Sequence, residues 1–188
     1  RLPGQSYLPG GRGGSMLMKP AGAVLVIIAT SAWGITAAQK FQNQYEQLKY
    51  LQKIICLLRS EIRYARSYLG EAFSQIGRKA ESPYKEWLLE MCGRMEDRNG
   101  TVFEEIWEAG VLERLKDAGL PKNTLGRLAA FGSQLGMADA EMQIKLLDLF
   151  REEIEQTMNE VQEEMRMKIR LCHCLGVMSG IFIIILLV

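Results

Sequence analysis

Two apolar runs stand near the ends of this sequence, and a charged, helix-patterned stretch lies between them. The first, residues 21–38 (AGAVLVIIATSAWGITAA), carries no charge and is bracketed by Lys19 and Lys40. At ~1.5 Å of rise per helical residue this run covers roughly 27 Å, close to the ~30 Å hydrocarbon core of a bilayer, and snorkelling lysines extend its reach. The second, residues 171–188 (LCHCLGVMSGIFIIILLV), is equally apolar, with His173 near its entry. Both are expected to be membrane-spanning helices. A cleavable signal peptide is the competing reading of the first run, because Thr36-Ala37-Ala38 resembles a cleavage site. The length of that run, and a following domain without a disulfide pattern, favour retention.

Between the runs the apolar positions recur at helical steps. Phe41, Tyr45, Leu48, Leu51, Ile55, Leu58, Ile62 and Leu69 keep one face of a helix apolar, in a segment expected to continue out of the first run. Ser82-Pro83 offers a capping hydroxyl before a proline at the first helical position. Asn99-Gly100 predicts a turn, and Thr101-Val102-Phe103-Glu104 is a capping box opening the next helix. Gly119 suits a helix C′ position, Leu120-Pro121 opens a segment through Leu135, and Gly136 is expected to break the chain. Asp139 caps a long final helix whose Leu147, Phe150, Ile154, Met158, Val161 and Met165 share a face. No proline or glycine interrupts residues 138–175, so this helix is expected to run unbroken into the second apolar run. No stretch sustains a period of two. The expected fold is all-α: an antiparallel bundle of about six helices, flanked by an N-terminal and a C-terminal transmembrane helix.

Composition sharpens this division. All 22 acidic residues lie between Lys40 and Arg170, with every basic residue except Arg1, Arg12 and Lys19, so the central domain is weakly acidic. A formal charge of +1 for the whole sequence gives no basic field for nucleic acid. Cys56, Cys92, Cys172 and Cys174 are too scattered for a disulfide framework, and they point to a reducing compartment. Residues 1–18 are a glycine- and proline-rich tail without periodicity, read as disordered and as translation from upstream of a start at Met16 or Met18. The domain plan is therefore tail 1–18, span 19–39, helical domain 40–170 and span 171–188.

Catalytic chemistry has little material here. The one histidine, His173, lies in a span, so a nucleophile–histidine pair cannot form in the helical domain. Neighbours on a helix point about 100° apart, so Cys172-His173-Cys174 cannot converge on one metal ion. Phosphate-binding glycine motifs are missing, and neither enzyme activity, cofactor nor small-molecule substrate is expected. Arg166, Lys168 and Arg170 crowd the domain side of the second run, which by the positive-inside tendency places the domain in the cytoplasm. Thr30, Gly34 and Ala38, and Gly176 with Gly180, form small-residue faces suited to close packing of transmembrane helices. The glutamates of the last helix are either a solvated face or a docking surface. Glu152, Glu153, Glu160 and Glu164 are the candidate partner contacts.

The sequence from about Lys19 to Val188 resembles the stage III sporulation protein AB family of endospore-forming bacteria. The likeness rests on LLRSEIRYARSYLGEAFSQIG (57–77), where Leu58, Glu61, Ile62, Tyr64, Leu69, Ala72 and Phe73 fit the family pattern. It rests also on FGSQLGMADAEMQIKLL (131–147), with Phe131, Gly132, Leu135, Gly136, Asp139 and Gln143, and on the closing LGVMSGIFIIILLV. The resemblance implies a non-enzymatic platform of the secretion-like channel complex in the mother-cell membrane around the forespore, similar to the inner-membrane platform of type II secretion and type IV pilus systems. It further implies a secretion-type ATPase and other membrane components of the channel as partners. Glu61 and Tyr64 are read as fold residues, making a polar contact between helices. The alternative function is a membrane-tethered cytoplasmic adaptor that binds a single partner.

Overall fold

The computed structural model describes residues 39–65, 68–97 and 102–187, and they are helical throughout apart from turns and short connections. Helix α1 covers 39–60 and closes in a π-turn, Glu61–Ala65. Five more follow: α2 (Leu69–Gly77), α3 (Tyr84–Glu96), α4 (Phe103–Arg114), α5 (Lys122–Met137) and α6 (Ala140–Leu187). Residues 39–165 form one compact unit, and the described residues 166–187 of α6 belong to a second.

Within residues 39–165 the helices alternate in direction. Arg59 of α1 pairs with Asp148 of α6 at 2.6 Å, while Phe41 and Tyr45 of α1 line a small cavity with Val161 and Met165 of α6. These two helices are thus antiparallel along their whole shared length. Gly70 at the start of α2 faces Met95 near the end of α3, and Gly77 at the end of α2 packs on Leu88 and Leu89. Tyr84, at the start of α3, donates its hydroxyl to Gln47 of α1, and burial pushes that phenol well above its ordinary value. Phe103, opening α4, lies against Gly136, near the end of α5. Phe131 of α5 stacks on Phe150 of α6 with ring centroids 4.7 Å apart. The result is an up-and-down bundle, as short connections between consecutive helices favour.

Helical period explains what is buried. Leu48, Leu51, Ile55, Leu58 and Ile62 of α1, and Leu147, Phe150, Ile154 and Val161 of α6, are all in the core. Trp107 is its hub: the indole N–H donates to the carbonyl of Leu128 at 2.6 Å, and Trp87 meets it edge-on at 5.0 Å. Phe73, Phe103 and Phe131 surround it at 5.8–6.2 Å. Such tilted arrangements place ring edges on ring faces, each adding roughly 0.5–1.5 kcal/mol beyond area burial.

Asp139 caps α6 as expected, accepting the Met142 N–H on its carboxylate at 2.8 Å. The helix then continues without a break to Leu187. Five local expectations are corrected. Gly136 does not break the chain; it lies inside α5, where a β-carbon would stand 2.5 Å from the Phe103 ring. Ser82 does not cap α3, because the helix starts at Tyr84 behind Pro83, and the Glu81 carbonyl already accepts the Lys85 N–H. Helix α4 starts one residue later than the capping box predicts, with extended Val102 at the N-cap; Asn99-Gly100 and Thr101 lie outside the described residues. Leu69 opens α2 instead of extending the stripe of α1. Gly119 has the expected positive φ (+89°), but four residues beyond the C-cap of α4, where its bare Cα admits Asn43 and Gln47 of α1.

Among the described residues no helix is long and apolar enough to cross a membrane. Residues 21–38 lie outside that set, as do many side chains of 171–187.

Candidate protein-interaction surface

The sequence points to the glutamates of α6, and the structure gives them different surroundings. Glu153 is half-buried and paired with Arg127 of α5 at 2.7 Å. Glu152 and Glu155 share Arg151, at 3.9 and 3.6 Å. Glu160 and Glu164, two turns on, are exposed. The four candidate positions therefore do not form one surface of uncompensated charge: Glu153 ties α5 to α6, and surface pairs of this kind contribute about 0–1 kcal/mol.

Glu152, Glu153 and Arg127 instead rim a shallow groove of about 500 Å³ between α5 and α6. Its floor holds Phe131 and Phe150, with Leu149 exposed along its edge. A second cluster of charge joins α3 to α4. Glu90 accepts from Arg94 at 2.5 Å and from Arg114 at 2.6 Å, and Arg94 also reaches Glu113 at 2.7 Å. The bond from Arg114 holds the Glu90 carboxyl below its ordinary range, against the opposing effect of partial burial and with Arg94 assisting. Every member of this cluster is satisfied by another, so it stabilises the bundle and leaves little for a ligand.

Tyr64 departs from its expected role. It is 77% exposed, with the Arg63 guanidinium 5.6 Å from its ring centroid, so its contact is within its own turn and not to another helix. Glu61 opens the same π-turn and is partly exposed. The other residues carrying the family likeness have clear structural work. Leu58, Ile62, Ala72, Phe73, Phe131 and Leu135 are core. Gly132 and Gly136 admit Trp107 and Phe103, and Gln143 donates to the Leu135 carbonyl across the α5–α6 turn at 3.1 Å.

Of the small-residue faces, Thr30, Gly34 and Ala38 lie outside the described residues, as does the side-chain environment of Gly180; Gly176 has open space where a β-carbon would stand. Among the described residues no group of histidine, cysteine and acidic side chains is placed to hold a metal ion. Cys172 and His173 lie outside that statement.

The described residues thus form an all-helical bundle whose principal charged clusters are paired within it. The family profile of stage III sporulation protein AB matches residues 19–188, and the chain belongs to that family. A curated relative, stage III sporulation protein AB of Bacillus subtilis (strain 168), is 23% identical over 171 residues, spanning 91% of this chain and 99% of the relative. A solved structure of a stage III sporulation protein AB is similar with a TM-score of 0.58 at 20% identity, covering 66% of this chain and 97% of that one. The likeness establishes a shared fold, and family membership assigns the chain to sporulation.

Proposed function

We propose that this protein is a non-enzymatic membrane platform of the secretion-like channel complex that joins mother cell and forespore. The observation that supports it best is the return of the chain within residues 39–165. The segment enters along Phe41, Gln42 and Tyr45 and leaves along Val161, Gln162 and Met165, and these six residues line one cavity of about 140 Å³. Entry and exit therefore sit at the same end of the bundle. The apolar runs 21–38 and 171–188 follow closely in the sequence on either side. A domain with both ends together is suited to hang from one face of a bilayer by two helices, with Arg166, Lys168 and Arg170 at its inner surface. The bundle then serves as a rigid body that links a cytoplasmic secretion-type ATPase to membrane components of the channel.

Affinity purification of the full chain from membranes of sporulating cells tests this reading. The expected result is recovery of a hexameric ATPase together with several membrane-spanning proteins, and deletion of the gene is expected to arrest development after engulfment. Recovery of one soluble partner alone, with sporulation complete in the deletion strain, would replace the platform by a tethered adaptor.

A further inference from the structure

The end of the bundle opposite the chain's entry and exit is built from the π-turn of α1, the starts of α2, α4 and α6, and the ends of α3 and α5. The contacts Gly70–Met95, Phe73–Phe103, Phe103–Gly136 and Gln143–Leu135 hold these termini side by side. Apolar side chains that the bundle leaves uncovered gather there. Tyr64, Tyr68 and Met137 are 77%, 88% and 84% exposed, and Val102 and Met142 are also open to solvent. Each sits within a few residues of a helix terminus. Isolated exposed apolar residues are ordinary, but their concentration at one end of the bundle favours contact with another molecule.

Charge narrows the choice of that molecule. Glu71, Glu96, Glu104, Glu105 and Glu141 are exposed around this face. Arg63 lies against Tyr64, and Lys145 is paired with Glu141 at 3.1 Å. Among the described residues of this end, acids are therefore in excess. An acidic rim repels an anionic lipid surface and attracts a cationic protein face. The aromatic and methionine side chains within it are the types enriched at the centre of interfaces.

We propose that this end, bearing Tyr64, Tyr68 and Met137, is the docking surface for a water-soluble protein presenting an apolar patch set among basic residues. The inference takes the compartment it faces from the platform reading, and it locates the partner at the far end of the bundle instead of along the glutamates of α6. The docked protein covers the π-turn that carries Tyr64.

A photo-reactive amino acid placed at Tyr64, at Met137 and, as a control, at exposed Glu160 of the full chain in its spore-forming host tests this, with adducts identified by mass spectrometry. The expected result is one soluble protein joined at Tyr64 and at Met137 through a lysine- or arginine-rich peptide, and not at Glu160. Reversing the rim with Glu104→Lys and Glu105→Lys is expected to reduce that adduct by about tenfold or more. An adduct with the ATPase supports both proposals. An adduct with a different soluble protein through such a peptide supports this surface and contradicts the platform. Absence of adducts at both positions, adducts with a second copy or a membrane-spanning protein, or indifference to rim reversal overturns the inference.

Discussion

Trp107 and Gly132 pack so closely that a β-carbon on the glycine would overlap the tryptophan methylene and the indole ring at Cγ and Cδ1. The bare turn of α5 lets α4 settle against it, and the indole N–H reaches the Leu128 carbonyl from this position. Core rigidity thus depends on one missing methyl group.

Gly132→Ala is accordingly expected to cost roughly 1–3 kcal/mol, the range for overpacking a filled core. Gly126→Ala is the control. No atom lies within 4 Å of a β-carbon there, and helix propensity favours alanine by roughly 0.5–1 kcal/mol. Urea unfolding of the two variants is expected to move the midpoint in opposite directions.

Asp139→Ala removes the acceptor for the Met142 N–H and is expected to lower stability by about 1 kcal/mol. Asp139→Ser, which keeps an N-cap oxygen, is expected to recover most of that loss in the same denaturant titration.

Glu90 supplies a pH signature. Its folded carboxyl is held below the ordinary value, first by Arg114, so the stabilisation is fully present above the unfolded value and lost as pH falls through the folded one. Glu90→Gln is expected to lower stability at pH 7 by up to about 1 kcal/mol, since of its two partners Arg114 is exposed and Arg94 is half-buried. That gap between the two proteins is expected to close in acid, as pH falls through and below the ordinary glutamate range, where thermal melts of both are compared.

The Arg59–Asp148 pair holds α1 against α6 and keeps the two helices in register. A double-mutant cycle with Arg59→Ala and Asp148→Ala is expected to yield a coupling energy of about 1 kcal/mol or less. Larger effects are expected from Leu48→Ala or Leu51→Ala, about 2–5 kcal/mol each, because these side chains are fully buried.

Much of the fold was legible in the sequence because burial in a bundle follows a local rule. The stripe from Leu48 to Ile62 and that from Leu147 to Val161 are periodic, and both became core. Asp139 announced the start of α6 for the same reason, its partner N–H lying three residues away. Gly136 misled because a glycine that ends a helix and one that admits a ring from another helix look alike in sequence. Only the approach of Phe103, distant along the chain, separates the two. The proposed docking surface was the least legible part. The glutamates of α6 stand out as a pattern, yet Glu153 turned out to hold α5. Tyr64, Met137 and Val102 belong to different helices, and no local spacing brings them to one end.

The proposed function requires both ends of the helical domain to be fixed to one membrane, with the domain on its cytoplasmic side. Cys56 is a native exposed thiol on α1 and reports on that directly once Cys92, Cys172 and Cys174 are replaced by alanine. In intact cells treated with a membrane-impermeant maleimide, Cys56 is expected to stay unlabelled, and to react fully after permeabilisation while the protein remains in carbonate-washed membranes. Labelling of Cys56 from outside intact cells, or release of the chain by the carbonate wash, would contradict it.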